Sequence, residues 1–275
     1  MGNKIRIIFS TFGLVMIGLF VWRLVQGTWT PVNWTMLAIA ATACLLVFVR
    51  FVYIFNFSYA LCAILNGALI WVARPSAVTA LIGSAAILYG LRLFWFTWSR
   101  TRSHSYALRM QNVVAVDREM PAPGKVILWF TCTWLMTFHL MAMWLAAERA
   151  QMSFGIVIGA ATMLVGTALE GIADSQKQAS KQVAPDQFVT RGLFARSRHP
   201  NYLGEILVQV GLMTIAVVSA ATFDDILAGM VAPLYILILM ISESRRVDDY
   251  QVTQYGADAD YVDYRERSGS LLPKF

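Results

Sequence analysis

An all-α bundle of membrane-spanning helices is the fold this sequence predicts, and three observations predict it. The chain of 275 residues is 58% hydrophobic and 14% charged with a mean hydropathy of +0.59, too apolar for a soluble globular domain. Apolar runs of the length that crosses a bilayer recur from end to end. Basic residues gather in a few of the connections between those runs, as they do on the inner side of membrane proteins.

The runs fall at about 7–25, 34–49, 51–72, 77–98, 126–147, 153–172, 202–222 and 226–242. The first follows Lys4 and Arg6 and nearly reaches span length, so it reads as a retained helix rather than a cleaved signal. Only Arg50 separates the second run from the third, and the two read either as separate spans or as one long or broken helix. The predicted architecture is therefore a polytopic bundle of seven to eight transmembrane helices. No stretch is polar or repetitive enough to mark a second unit, and residues 1–275 read as a single domain.

Orientation follows from the connections. Segments 99–125, 173–200 and 243–275 hold five Lys or Arg each, fifteen of the twenty-two in the chain, whereas 26–33 and 220–225 hold none. With eight spans the three basic segments share one side with both termini, which places the termini in the cytoplasm, with a bacterial inner membrane as the expected location. The net charge of +6 is dispersed between apolar runs and forms no stripe for nucleic acid. Cys44, Cys62 and Cys132 lie inside apolar runs without CxxC spacing and read as packing residues. His104, His139 and His199 are scattered singly, which speaks against a metal site.

Polar chemistry collects near the basic side. In LEGIADSQKQASK, residues 169–181, Glu170 and Asp174 are four apart, and Lys177, Gln178 and Lys181 continue the same helical face. Such a stripe suits a ligand that is part polyol and part phosphate, although a helix end whose acids and lysines pair with each other would look the same. In GLFARSRHPNYLGEI, Pro200 suits a first helical turn whose free amides face an anion, with Arg196, Arg198 and His199 around them. A positive flank and a cap would explain the arginines but not Asn201, Tyr202 and Glu205 at membrane depth, where a carboxylate requires a polar partner. Tyr89 and Arg92 share a face of 77–98, and the buried arginine needs Glu170, Glu205 or a phosphate. Tyr53, Asn56, Ser58, Tyr59 and Asn66 make 51–72 unusually polar and point to a cavity lining. The tyrosine-rich, charge-balanced tail after residue 242 is expected to fold back over the cytoplasmic mouth. GxGxxG after a strand, GxxxxGK[ST], HExxH and GxSxG are all missing, so any nucleotide binds among helices.

In this order, LEGIADSQKQ, GLFARSRHPNYLGEI and the tyrosines leading to LLPKF resemble the steroid 5-alpha reductase-like family of integral membrane enzymes, which is related to the sterol C14 reductases. The resemblance covers about residues 85–275. RHPNY alone is similar to isoprenylcysteine carboxyl methyltransferases and phospholipid methyltransferases as well; its pairing with Glu170, Asp174 and Lys177 upstream and with Gly204 and Glu205 downstream favours the reductases.

The resemblance implies a helical fold with an NADPH cavity on the cytoplasmic side and a lipophilic enone entering from the bilayer. It places Glu170, Asp174 and Lys181 on the cofactor, Asn201 and Glu205 on its nicotinamide half, Arg92 on a phosphate, and Arg246 and Tyr250 as tail contacts. Arg198, His199 and Tyr202 complete the expected cofactor set. Tyr89, assisted by Tyr59 or Asn56, is the expected group polarising the substrate carbonyl. One departure is plain: steroid-reducing members carry a glutamate in the span equivalent to 51–72, and this chain has none.

The expected activity is NADPH-dependent reduction of a C=C bond in a steroid-like or other lipophilic enone. The alternatives are an S-adenosylmethionine-dependent methyltransferase acting on a lipid or prenylated substrate, and a membrane protein that binds lipid or a partner without catalysis. Substrate identity and oligomeric state are left open.

Overall fold

The computed structural model describes residues 3–102 and 120–274, and within them it is all helical apart from one isolated parallel bridge. Most of the basic connection 99–125, with His104, lies outside the described residues. The helices are α1 Asn3–Val25, α2 Pro31–Cys44, α3 Tyr59–Ala73, α4 Ala77–Thr101, α5 Ala122–His139, α6 Met141–Arg149, α7 Phe154–Val183, α8 Pro200–Ser219, α9 Phe223–Tyr255 and α10 Ala259–Arg267. Seven segments are long and apolar enough to cross a membrane: Pro31–Phe48, Ile54–Ala73, Ala77–Thr101, Ala122–Arg149, Phe154–Val183, Pro200–Ser219 and Phe223–Tyr255. Within α1 the apolar stretch Thr11–Val25 is shorter. The chain is an integral membrane protein.

Local chemistry starts the helices where capping rules place them. Thr30 with Asn33, Ser76 with Thr79, and Thr222 with Asp225 form reciprocal capping boxes at α2, α4 and α9. Pro200 opens α8, where its missing N–H costs nothing.

The structure decides one alternative left by the apolar runs and differs from them in two features. Residues 34–72 do not form one helix: a 3-10 turn at Leu45–Phe48 and a π-helical turn at Ile54–Ser58 reverse the chain, and Ser58 Oγ donates to the Ala43 carbonyl at 2.6 Å to tie the two sides. The run 126–147 is interrupted at Leu140, between α5 and α6. The last span continues far past residue 242. At 30 and 33 residues, α7 and α9 are about 45 and 50 Å long, well beyond a hydrocarbon layer of about 30 Å, so both project from the basic side.

The most extensive helix contact is α7 against α8. Glycines make it possible: a Cβ on Gly166 would lie 2.5 Å from the Gly204 carbonyl oxygen, and one on Gly211 would lie 2.5 Å from that of Gly159. Lipid is as apolar as the side chains themselves, so close backbone approach and dispersion hold such a pair together. At the far end, buried Arg23 joins α1 to the start of α9 through Asp225 at 2.7 Å and Asp224 at 3.5 Å.

The tail does fold back. Gly269 and Ser270 carbonyls accept the backbone amides of Arg198 and His199 at 2.9 and 3.0 Å, and Gly269 returns its own amide to Arg196 at 2.9 Å. Tyr264, on α10, donates to the Phe194 carbonyl at 2.8 Å; burial pushes its hydroxyl up to about 12, so it stays a donor at any physiological pH.

Candidate functional site

Close packing of α7 on α8 sets two i, i+4 pairs against each other. Glu170 and Asp174 stand one turn apart on α7, Asn201 and Glu205 one turn apart on α8, and Asn201 Nδ2 donates to Asp174 Oδ1 at 3.3 Å. From α4, Arg92 forms an ion pair with Glu170 and reaches Asp174 at 3.2 Å. The buried guanidinium is thus held by two carboxylates, as a charge at membrane depth requires.

Glu205 meets no cation. Its carboxylate accepts from Tyr89 at 2.8 Å, from Tyr59 at 3.0 Å and from Gln209 Nε2 at 2.7 Å. His139 Nε2 lies 3.0 Å from the Tyr59 hydroxyl and 3.2 Å from Gln209 Oε1. An ionised carboxylate is acceptor only, so three donors converging on it form a satisfied polar network inside the bundle. The break in the span at Leu140 falls beside His139, the last residue of α5, and the π-helical turn at 54–58 runs directly into Tyr59. Irregular backbone at membrane depth persists where protein surrounds it or where it borders a cavity.

A cavity of about 240 Å³ opens onto this network. Its walls are mainly apolar, with Phe55, Leu93, Phe96, Leu135, Ile236 and Met240 among them. Its polar edge carries Tyr59, Thr97, Glu170, Asp174, Asn201 and Glu205. A second cavity, of about 440 Å³, lies between the projecting ends of α7 and α9, bounded by Lys177, Lys181, Arg198, Tyr250, Gln254 and Tyr264. Asp174 borders the first cavity and Lys177 the second, less than one helical turn further along α7.

The family model described as a protein of unknown function, DUF1295, matches residues 54–268. The chain belongs to the DUF1295 family. No curated protein and no solved structure matches it. The DUF1295 match begins at the π-helical turn ahead of Tyr59 and ends in the tail, so it takes in every residue of the Glu205 network and leaves α1 and α2 outside.

Of the residues singled out in the sequence, Glu170, Asp174, Asn201, Tyr202, Glu205, Tyr59 and Asn56 all line the first cavity of this DUF1295 protein. Asn56 also holds the Val52 carbonyl at 3.4 Å, and Tyr202 stacks on His199 with centroids 5.4 Å apart. Lys181, Arg198 and Tyr250 line the second cavity, with the Lys181 ammonium on the Pro185 and Gln187 carbonyls.

Four of these expected contacts are with protein partners in the structure. Tyr89 does not reach the cavity wall; it stands behind Glu205, so Tyr59 is the tyrosine presented to a ligand. Arg92 pairs with Glu170, one of the partners expected for it, and with Asp174. Arg198 and His199 do not surround an anion at a bare helix end: both bind Asp248, at 2.9 Å each, and their amides are taken by the tail. Arg246 pairs with Glu243 at 2.7 Å on the surface and lines neither cavity. The physical reason is common to all four, since a charge or hydroxyl in a crowded, weakly polar place takes the nearest protein partner.

Sequence reasoning missed Gln209, His139 and Thr97. Gln209 carried a signal, one turn beyond Glu205 on the same face. His139 carried none beyond its presence in an apolar run.

Proposed function

We propose that this protein reduces an activated C=C bond of a lipophilic enone with NADPH. The observation that carries the reading is the Tyr59 hydroxyl beside the Glu205 carboxylate at the polar edge of an apolar-walled cavity, with a cation-bearing cavity one turn away. The residues present fit a dinucleotide. The first cavity has room for one ring and its substituents, and its buried Asn201 Oδ1 has no hydrogen-bond partner among the described residues. The second cavity carries the positive charge of Lys177 and of Lys181, the latter held by two backbone carbonyls, to favour a phosphate, and tyrosine rings to meet a base. When bound, NADPH supplies hydride to the β carbon of the enone.

The chain's own contribution is positioning and charge. Phe55, Leu93 and Ile236 exclude water from the reacting carbons, which strengthens each polar contact inside. Tyr59 donates to the carbonyl oxygen as negative charge develops there, and Glu205, hydrogen-bonded to Tyr59, governs where that proton rests. Tyr89 and Gln209 hold Glu205 in place. The positive-inside pattern supports a cytoplasmic location for both cavities, on the side where reduced cofactor is available, while the apolar walls suit a substrate from the bilayer. Because the carboxylate that meets the tyrosines comes from α8 rather than from 51–72, the substrate is assigned only as a lipophilic enone, steroid-like or otherwise.

Purified protein in detergent tests this. A bound ligand at a hundredfold excess over its Kd stabilises a fold by ~2.7 kcal/mol, so NADPH is expected to raise the melting temperature by several degrees. A second reading, methyl transfer from S-adenosylmethionine, draws on the acid-rich edge of Glu170, Asp174 and Glu205, which suits a sulfonium cation. Stabilisation by S-adenosylmethionine and not by NADPH would replace the first reading with the second. With an enone that turns over, Tyr59→Phe is expected to lower kcat by about 100-fold and Tyr89→Phe by about tenfold, because only the former touches substrate. The reverse order, in steady-state rates, would exchange the two tyrosines' roles.

A further inference from the structure

Thr97 breaks a rule that its neighbours keep. Threonine hydroxyls inside apolar helices return to a carbonyl one turn earlier, as Thr131, Thr137, Thr162, Thr167 and Thr214 do at 2.8 to 2.9 Å. Thr97 is 1% exposed, lies in the middle of a turn of α4 where Leu93 offers that carbonyl, and yet its Oγ1 has no hydrogen-bond partner. Thr133 shares this condition but borders neither cavity, whereas Thr97 lines the first.

Among the uncharged groups lining the same cavity, Asn201 supplies a second such atom, the charged Glu170 being ion-paired with Arg92. Asn201 Nδ2 is committed to Asp174, an acceptor, which turns Oδ1 to the free side; that oxygen is buried and unpartnered. A buried polar atom without a partner costs free energy, and two at one cavity point to a ligand that supplies what both lack. The unmet pair is one hydroxyl donor and one carbonyl acceptor. A ketone would satisfy Thr97 and leave Asn201 unmet; an ammonium would do the opposite. A hydroxyl or a primary carboxamide carries both an acceptor and a donor, and the carboxamide is the one that the NADPH reading brings here on the nicotinamide ring.

We propose that Thr97 and Asn201 together recognise the carboxamide of the nicotinamide ring, Thr97 donating to its oxygen and Asn201 Oδ1 accepting from its nitrogen. The assignment rests on the NADPH reading above and adds to it the residues that read the ring's substituent. It makes Thr97 a binding residue for the cofactor.

The probes are NADPH and its thionicotinamide analogue, whose sulfur is a weak acceptor, titrated by thermal shift against the detergent-solubilised full chain. Thr97→Val keeps the shape of the side chain, so the ligand-free melting temperature is expected to stay level or rise as an unpartnered hydroxyl is removed. Its affinity for NADPH is expected to fall about tenfold, the size of one hydrogen bond with its partner left unmet. Toward the thio analogue the same variant should lose at most a factor of two, and Thr97→Ser should restore NADPH affinity. If Thr97→Val fails to fold, Thr97→Ala against both nucleotides gives the same comparison. Wild-type protein indifferent to NADPH would sink the functional reading and this inference with it. Wild-type protein stabilised by NADPH, with Thr97→Val stabilised equally, would overturn this inference alone. An equal loss toward both nucleotides would place Thr97 on some other part of the ligand and overturn it too.

Discussion

Glu205→Gln is expected to abolish stabilisation by NADPH and to remove enone reduction to below 1% of wild type, while leaving a folded protein. The side chain keeps its shape, but its chemistry changes. Three donors, from Tyr59, Tyr89 and Gln209, converge on the carboxylate. An amide accepts at one end only. Seated with its oxygen in the place of Oε1, it still accepts from Tyr59, Gln209 and, at 3.0 Å, Tyr89, and its N–H₂ meets the Tyr89 hydroxyl oxygen; the opposite seating sets N–H₂ against Gln209 Nε2. Either way Tyr59 loses the carboxyl neighbour that governs its proton, an effect of about 10²–10⁴ in rate for general acid–base groups. Glu205→Ala would instead strand the donors and destabilise the fold, which is why the amide is the informative change. Circular dichroism confirms folding, and thermal shift with NADPH reads the site. An unaltered response to NADPH in Glu205→Gln would remove Glu205 from the cofactor site.

How much of this was legible beforehand divides along a physical line. Span positions were readable because the bilayer imposes length and apolarity residue by residue, and the basic connections were readable by counting. Helix ends outside the bilayer were not: SESRRVDDYQVTQY has no Pro or Gly to mark residue 242 as terminal, and α9 runs on to Tyr255. The interruption at Leu140 sits in TFHLMAMW, with no Pro or Gly to announce it.

The site shows the same division. Glu170, Asp174, Asn201 and Glu205 were legible because acids beside hydrocarbon require partners, and the i, i+4 spacing supplies a shared face. Pairings between distant segments were not. His139 with Tyr59 spans 80 residues, and Arg198 with Asp248 spans 50, so His139 read singly pointed to nothing and Arg198 to an anion, where the fold supplies a hydroxyl and a carboxylate. The rotation of α4 about its axis decides that Tyr89 stands behind Glu205 and Thr97 faces the cavity; spacing along one helix carries the relative angle of those two residues but not the direction of either.

Gly166→Val is expected to be the most damaging single change outside the site. A Cβ at 166 would lie 2.5 Å from the Gly204 carbonyl oxygen, 2.8 Å from the Val208 backbone nitrogen and 2.9 Å from the Leu207 Cβ, and two of these three are main chain that cannot rotate away. The helices must part, and overpacking of this kind costs about 3 kcal/mol or more where backbone has to move. Parting them also undoes the site, because Gly204 abuts the backbone of Glu170, with its own added Cβ only 2.6 Å from the Glu170 nitrogen. Thus α7 and α8 bring Asp174 to Asn201 through the same contact that holds the bundle together. Gly166→Ala tests the coupling at lower cost: the protein should remain monodisperse in detergent with a lowered melting temperature and a weakened response to NADPH. Gly18→Ala, where nothing lies within 4 Å of the new methyl, is the control and should melt with wild type. Equal melting of Gly166→Val and wild type would mean that α7 and α8 do not approach this closely, and the juxtaposition of their four polar side chains would have to be abandoned with that packing.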